Sequence, residues 1–110
     1  MLAHSLELLS SAGATRSRRM FGGHGLYIEG HFAALIAGDT LYLKTDVRTR
    51  PIFEAAGCLP FVYEGKGRPV TMSYFTVPPE AMESPAAMKP WAGLALQASR
   101  AARAGRQVPR

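Results

Sequence analysis

The stretch LYIEGHFAALIAGDTLYLK, residues 26–44, decides the fold of this 110-residue chain. Apolar residues recur at every second position in three short runs, which are separated by Glu29-Gly30 and Gly38-Asp39. The alternating sets are Leu26 and Ile28, then Phe32, Ala34 and Ile36, then Leu41 and Leu43. A period of two is typical of half-buried strands, and short glycine-containing breaks favour tight turns between antiparallel neighbours. Residues 16–44 are therefore predicted to form a meander of three or four antiparallel strands.

Helices are predicted on both sides of this meander. Apolar residues at helical spacing near the N terminus predict a short amphipathic helix ended by Gly13, with Leu2, Leu6 and Leu9 on one face. Either Asp46 or Thr49 can cap a second helix that ends at Gly57. Its predicted buried stripe consists of Ile52, Phe53 and Ala56.

A hairpin and a last helix complete the predicted fold. Two strands, 61–64 and 69–77, are joined by the turn at residues 65–67. Ser84-Pro85 begins a helical turn that Pro90 is expected to interrupt, because proline lacks the N–H needed inside a helix. A final helix over about residues 90–103 is expected to pack through Trp91 and Leu94. The prediction is a single small α+β domain with a mainly antiparallel sheet, a β-meander plus a β-hairpin, and three to four helices.

The net charge of +5 is concentrated at the C terminus. The last eleven residues contain four arginines and no acidic residue, whereas residues 1–99 contain nine Lys and Arg against eight Asp and Glu, a net of +1. We predict a domain over residues 1–102 and a basic, flexible tail over residues 103–110. Candidate nucleic-acid contacts in and next to this tail are Arg100, Arg103, Arg106 and Arg110. The alternative is a solvated chain end.

A second group of candidate nucleic-acid contacts precedes the first turn of the meander. Arg16, Arg18 and Arg19 lie on a predicted strand, where two of them share a face and can meet phosphate. Pairing with Glu29 or Glu64 across the sheet is the alternative.

The stretch RRMFGGHGLY, residues 18–27, packs three glycines around His24. It lacks the third glycine of a dinucleotide fingerprint, and no helix is predicted after it. Gly22, Gly23 and Gly25 are therefore predicted to serve a structural turn, a bulge or a close backbone approach. For His24 a hydrogen-bonded structural role is favoured over a role as general base.

The sequence offers no catalytic or metal-binding constellation. Three histidines and one cysteine lack the paired spacing of a zinc site, so no metal and no cofactor is expected. For Cys58 a buried, inert thiol is favoured over a reactive thiolate. We predict that the protein is not an enzyme. The apolar runs are too short to span a bilayer and the N terminus does not read as a secretory signal, so a cytoplasmic location is expected.

Four runs of sequence resemble the TfoX N-terminal domain family over about residues 2–102. They are RRMFGGHGLYIEG (18–30), LYLKTD (41–46), FEAAGCLPFVYEGKGRPVTMSYFTVP (53–78) and PWAGLALQASR (90–100). The resemblance implies a small α+β domain with a curved antiparallel sheet. It also implies a bacterial regulator of natural competence that acts with the cyclic-AMP receptor protein at promoters. Members with that role carry a further helical domain, on which we expect the competence role to depend.

The resemblance makes a protein partner in the transcription machinery, or the cyclic-AMP receptor protein, the leading expectation. One alternative is a small nucleic-acid-binding protein that uses its basic tail. Another is a homodimer or interaction module unrelated to competence.

Overall fold

We describe a computed structural model that covers residues 1–20, 22–65 and 67–107, without the side chains of residues 63–65, 68–72 and 103–107. The three α-helices are α1 (Leu2–Leu9), α2 (Arg50–Ala55) and α3 (Pro85–Gln107). The six strands are β1 (Thr15–Met20), β2 (Gly23–Ile28), β3 (His31–Ala37), β4 (Thr40–Lys44), β5 (Pro60–Gly65) and β6 (Arg68–Thr76). Short 3₁₀ helices cover Ser10–Ala12 and Pro79–Glu83.

All six strands form one sheet in the order β1-β2-β3-β4-β6-β5, and every neighbouring pair is antiparallel. The predicted meander is β1–β4 and the predicted hairpin is β5–β6, which adds to the meander through β6 rather than β5. At the turn between β2 and β3, Glu29 and Gly30 both have positive φ, of 51° and 79°. Positive φ at both central residues is the turn geometry that matches the twist of two antiparallel strands. The α+β prediction is confirmed.

The hydrophobic core lies between one face of this sheet and the three helices. A continuous set of fully buried side chains joins α1, β2, β4, α2 and α3: Leu8, Leu9, Leu26, Ile28, Leu43, Phe53, Met88, Ala92 and Ala95. The ring of Phe53 lies 6.1 Å from Phe75 of β6 and 5.1 Å from Trp91 of α3, measured between centroids. The Phe53–Trp91 pair is edge-to-face, with the ring planes inclined by 68°, and such packing adds to the stabilisation from buried area.

The prediction that Pro90 interrupts the last helix is wrong. α3 is continuous from Pro85 to Gln107 with Pro90 inside it. It starts at Pro85, where the helical turn was predicted, and the Ala87 N–H donates to the Ser84 hydroxyl oxygen at 3.1 Å. An interior proline costs about 3 kcal/mol of helix stability. Burial of Met88 and Ala92 on either side offsets that cost and holds both halves of the helix on the core.

One prediction of a buried face also needs correction. In α2 only Phe53 is buried, whereas Ile52 is 45% exposed and Ala56 lies beyond the last residue of the helix. A helix of six residues makes fewer than two turns, so it offers one side chain to the core. In α3, Trp91 and Leu94 pack against the core as predicted, and both are partly buried. The fully buried positions are the smaller neighbours such as Ala92 and Ala95, which let the helix approach the sheet closely.

The boundary proposed after residue 102 falls within α3, and the division into a domain and a tail stays a prediction. Among the described residues, no helix combines the length and the apolar character that crossing a membrane requires.

Candidate functional site

The sheet has a second face, opposite the helices, which we call the open face. Strand register assigns residues to it, because directly paired residues of neighbouring strands project to the same side. Leu26, Ala34 and Leu43 pair across β2, β3 and β4 and belong to the core face. The pairs of opposite parity lie on the open face: Arg16 with Tyr27, Tyr27 with Phe32, Leu35 with Tyr42, and Lys44 with Tyr74.

A row of three rings crosses the open face, and a cation lies against the first ring and against the last. The ring centroids of Tyr27 and Phe32 lie 5.3 Å apart with the planes inclined by 26°, and those of Phe32 and Tyr74 lie 6.0 Å apart. The Arg16 guanidinium carbon lies 5.2 Å from the Tyr27 centroid, and Lys44 Nζ lies 4.9 Å from that of Tyr74. Both distances are within the range of cation–π attraction. We call these five residues the aromatic stripe.

A β-bulge in β3 puts Phe32 into the stripe. Leu26 pairs with Ala34 but Tyr27 pairs with Phe32, which leaves Ala33 as the extra residue. The sequence alternation placed Phe32 on the same side as Ala34, and that expectation is wrong. The extra residue reverses the direction of the side chains before it. Ala33 is fully buried, and Phe32 lies beside Tyr27 instead of in the core.

A groove of about 430 Å³ lies beside the stripe. Its lining is mainly apolar and comes from β1–β3, from Gly22 and Gly38 next to these strands, and from one residue each of β5 and β6: Met20, Gly22, Gly23, His24, Phe32, Leu35, Ile36, Ala37, Gly38, Phe61 and Tyr74. Phe61 also packs against Tyr42, with centroids 4.8 Å apart. The groove is large enough for a small ring system, and two rings of the stripe, Phe32 and Tyr74, form part of its wall.

The glycine run forms one end of this groove. Gly22 has a φ of +77°, a conformation that side chains other than glycine rarely adopt. A Cβ on Gly23 would overlap the Ile36 carbonyl oxygen, and one on Gly25 would lie 2.6 Å from the Met20 terminal methyl carbon and 3.1 Å from a Phe32 ring carbon. Each of the three positions therefore has a conformational or a steric reason to be glycine.

The structure separates the three arginines of β1. Arg16 and Arg18 project from the open face, opposite Tyr27 and Gly25, whereas Arg19 projects from the other side. All three are exposed. The Glu29 carboxylate, which sequence offered as a partner for these arginines, instead accepts a 2.7 Å hydrogen bond from the Ala14 N–H.

Of the four tail arginines, Arg100 is the one whose side chain belongs to the described part of the chain. Arg100 is exposed on α3, the side chains of Arg103 and Arg106 lie outside the described part of the chain, and so does all of Arg110. The Glu64 side chain, the other suggested partner for the β1 arginines, is also outside it.

A comparison with known protein families gives a match. The family model described as the TfoX N-terminal domain matches residues 7–99 of the 110-residue chain. The chain belongs to the TfoX N-terminal domain family. Comparison with curated proteins gives no match.

In this TfoX N-terminal domain the two candidate catalytic side chains are not arranged as a pair. His24 lines the groove, and no hydrogen bond of its imidazole is found within the described part of the chain, so its structural role stays a prediction. Cys58 is buried, and its burial raises the pKa of the thiol. A hydrogen bond with Thr76 lowers that pKa and the charge of Glu80 raises it, with the net result above the usual value. A protonated thiol is a weak nucleophile.

No group of three or more His, Cys, Asp and Glu that could hold a metal ion is found among the described residues of this TfoX N-terminal domain. The residues that do come together are the members of the aromatic stripe, which sequence reasoning missed as a group. A signal was present, because Tyr27 alternates with Leu26 and Ile28 and so occupies a strand position where a polar residue is expected.

Proposed function

We propose that this TfoX N-terminal domain is a regulatory domain that acts by protein–protein contact in transcription or competence regulation, without catalysis. The observation that carries the proposal is the family match over residues 7–99. The cyclic-AMP receptor protein and RNA polymerase are the proposed partners, on the basis of the family resemblance. A non-catalytic role is supported by Cys58, whose raised pKa makes it a poor nucleophile.

Exposed apolar side chains around α2 support a protein-binding surface there. Val47 is 80% exposed, Ile52 is 45% exposed and Leu59 is 67% exposed, all within a segment of thirteen residues. Single exposed apolar side chains are common, and a partner that covers several of them gains the stabilisation of burying their apolar area. We propose that the segment 47–59 contacts the protein partner.

Binding of the purified partners tests both parts of this proposal. The domain is immobilised and offered the cyclic-AMP receptor protein or RNA polymerase, with the double variant Ile52→Ser and Leu59→Ser beside the parent. Val62→Ser is the matched control, since Val62 is 47% exposed but lies on β5 outside the segment.

We expect the parent and the Val62→Ser control to retain a partner that the double variant loses. Binding of neither protein by the parent would contradict the proposed function. Equal binding by the double variant would contradict the assignment of the surface.

A further inference from the structure

We propose that the open face binds single-stranded nucleic acid, with bases stacked on the aromatic stripe and phosphates contacted by Arg16 and Arg18. The inference is independent of the protein contact proposed for the segment 47–59, because it concerns the other face of the sheet. It also differs from binding by the C-terminal arginines.

The stripe offers ring surface to bases. Tyr27 and Phe32 are half-buried and project from two adjacent central strands, and Tyr74, the ring at the far end of the row, is buried. Aromatic rings on the face of an antiparallel sheet are a common device for stacking unpaired bases, two or three to a sheet. From β1 to β6 the stripe crosses four strand spacings, or about 19 Å. A short single-stranded segment can therefore lie along it.

The charge of the open face matches a polyanion. Of the described strand residues that register places on this face, the charged ones are Arg16, Arg18 and Lys44, and all are cations. Arg16 and Arg18 are exposed on an edge strand, where phosphates can reach them. A purely apolar partner would gain nothing from these charges, and an acidic peptide would gain little from the row of rings.

Arg16 links the two parts of the site. Its guanidinium rests on the Tyr27 ring at 5.2 Å while the side chain remains exposed. A base that stacks on Tyr27 takes the place of the guanidinium, which then contacts the flanking phosphate. Double-stranded nucleic acid cannot use the stripe in this way, because its bases are already stacked on one another. The site is therefore expected to prefer single strands.

Fluorescence anisotropy with a labelled oligothymidylate, its oligouridylate equivalent and a DNA duplex tests the proposal on the full chain. Tyr27→Leu keeps an apolar side chain and removes the stacking surface, and is expected to weaken single-strand binding about 10-fold. The double variant Arg16→Gln, Arg18→Gln is expected to reduce the slope of log K against log salt by roughly 1.4, about 0.7 for each phosphate contact. Far-UV circular dichroism and melting curves establish that both variants fold.

The double variant Arg100→Gln, Arg103→Gln is the matched control, since it removes the same charge from the end of α3. We expect it to bind single strands as the parent does. Loss of binding in this control, with no effect of the β1 variants, would assign the contact to the C-terminal arginines and overturn the proposal.

Three further outcomes would overturn it. The first is that the protein binds neither oligonucleotide at about 50 mM salt. The second is that it binds the duplex as tightly as the single strand and that Tyr27→Leu does not change the affinity for either. The third is that Tyr27→Leu no longer binds the cyclic-AMP receptor protein. The last result would make the open face a protein-binding surface.

Discussion

The three glycines of residues 22–25 are expected to tolerate alanine to different degrees, because the structure restricts each in a different way. At Gly22 a methyl group meets no atom within 4 Å, so only the φ of +77° opposes the change, at about 1–2 kcal/mol. At Gly25 the methyl lies 2.6 Å from the end of the flexible Met20 side chain, which can move. Overpacking of this kind costs about 1–2 kcal/mol.

Gly23→Ala is the severe case. Its methyl would overlap the Ile36 carbonyl oxygen, which belongs to the backbone of the neighbouring strand and cannot move without separating β2 from β3. Strain together with a lost ladder hydrogen bond gives an expected destabilisation of about 3 kcal/mol or more. In a domain of this size each 1 kcal/mol corresponds to a change in Tm of about 4 °C. We therefore expect Tm to fall by about 12 °C.

Urea unfolding followed by far-UV circular dichroism measures these free energies of unfolding. Gly93→Ala is the control, because Gly93 lies in α3 with nothing within 4 Å of an added methyl. It is expected to gain stability of up to about 1 kcal/mol from helix propensity. A Gly23→Ala variant as stable as Gly22→Ala would refute the close approach of β2 to β3. Three stable variants that no longer bind oligonucleotide would instead make the run a binding loop.

Four other expectations concern the core, α3, Cys58 and Asp46. Phe53→Ala should reduce the free energy of unfolding by about 3–5 kcal/mol, since the ring is fully buried between Phe75 and Trp91; a loss below 1 kcal/mol in urea unfolding would contradict that packing. Pro90→Ala should stabilise the fold by about 1–3 kcal/mol by restoring a helix hydrogen bond, and an unchanged Tm would count against a continuous α3. Cys58 should react with a thiol reagent at neutral pH more slowly than a free cysteine, because burial raises its pKa, and a faster reaction would contradict this. Burial alone would raise the pKa of Asp46, but the net pKa is lowered by hydrogen bonds from the backbone of Thr49 and Arg48, together with the charge of Arg48 and a hydrogen bond from the Thr49 side chain. The stabilising contribution of Asp46 is therefore present above the unfolded pKa and lost as pH falls through the folded pKa, and Asp46→Asn should remove this part of the pH dependence of stability.

Most of the fold could be predicted because it rests on local patterns. The period-two alternation and the turn at Glu29-Gly30 determine the meander, and Ser84-Pro85 marks the start of α3. The bulge in β3 could not be predicted, because Ala33 and Ala34 are equally small and equally suited to the core face. That single ambiguity hid Phe32, and with it the aromatic stripe. Continuity of α3 through Pro90 depends on tertiary packing that local propensity does not register.

The pairing of β4 with β6 has a consequence for the order of folding. Lys44 pairs with Tyr74, and the Thr45 N–H and hydroxyl both donate to the Ser73 carbonyl oxygen, at 2.8 and 3.1 Å. These contacts close a loop of about thirty residues, whereas the hairpins of β1–β4 close short loops at a smaller cost in chain entropy. The β1–β4 hairpins are therefore expected to form first. Lys44 and Tyr74 join the stripe only when that loop closes. The amide hydrogens of the β4–β6 pairing should therefore exchange more slowly when an oligonucleotide occupies the open face than when it is empty, because the ligand binds the form in which the loop is closed.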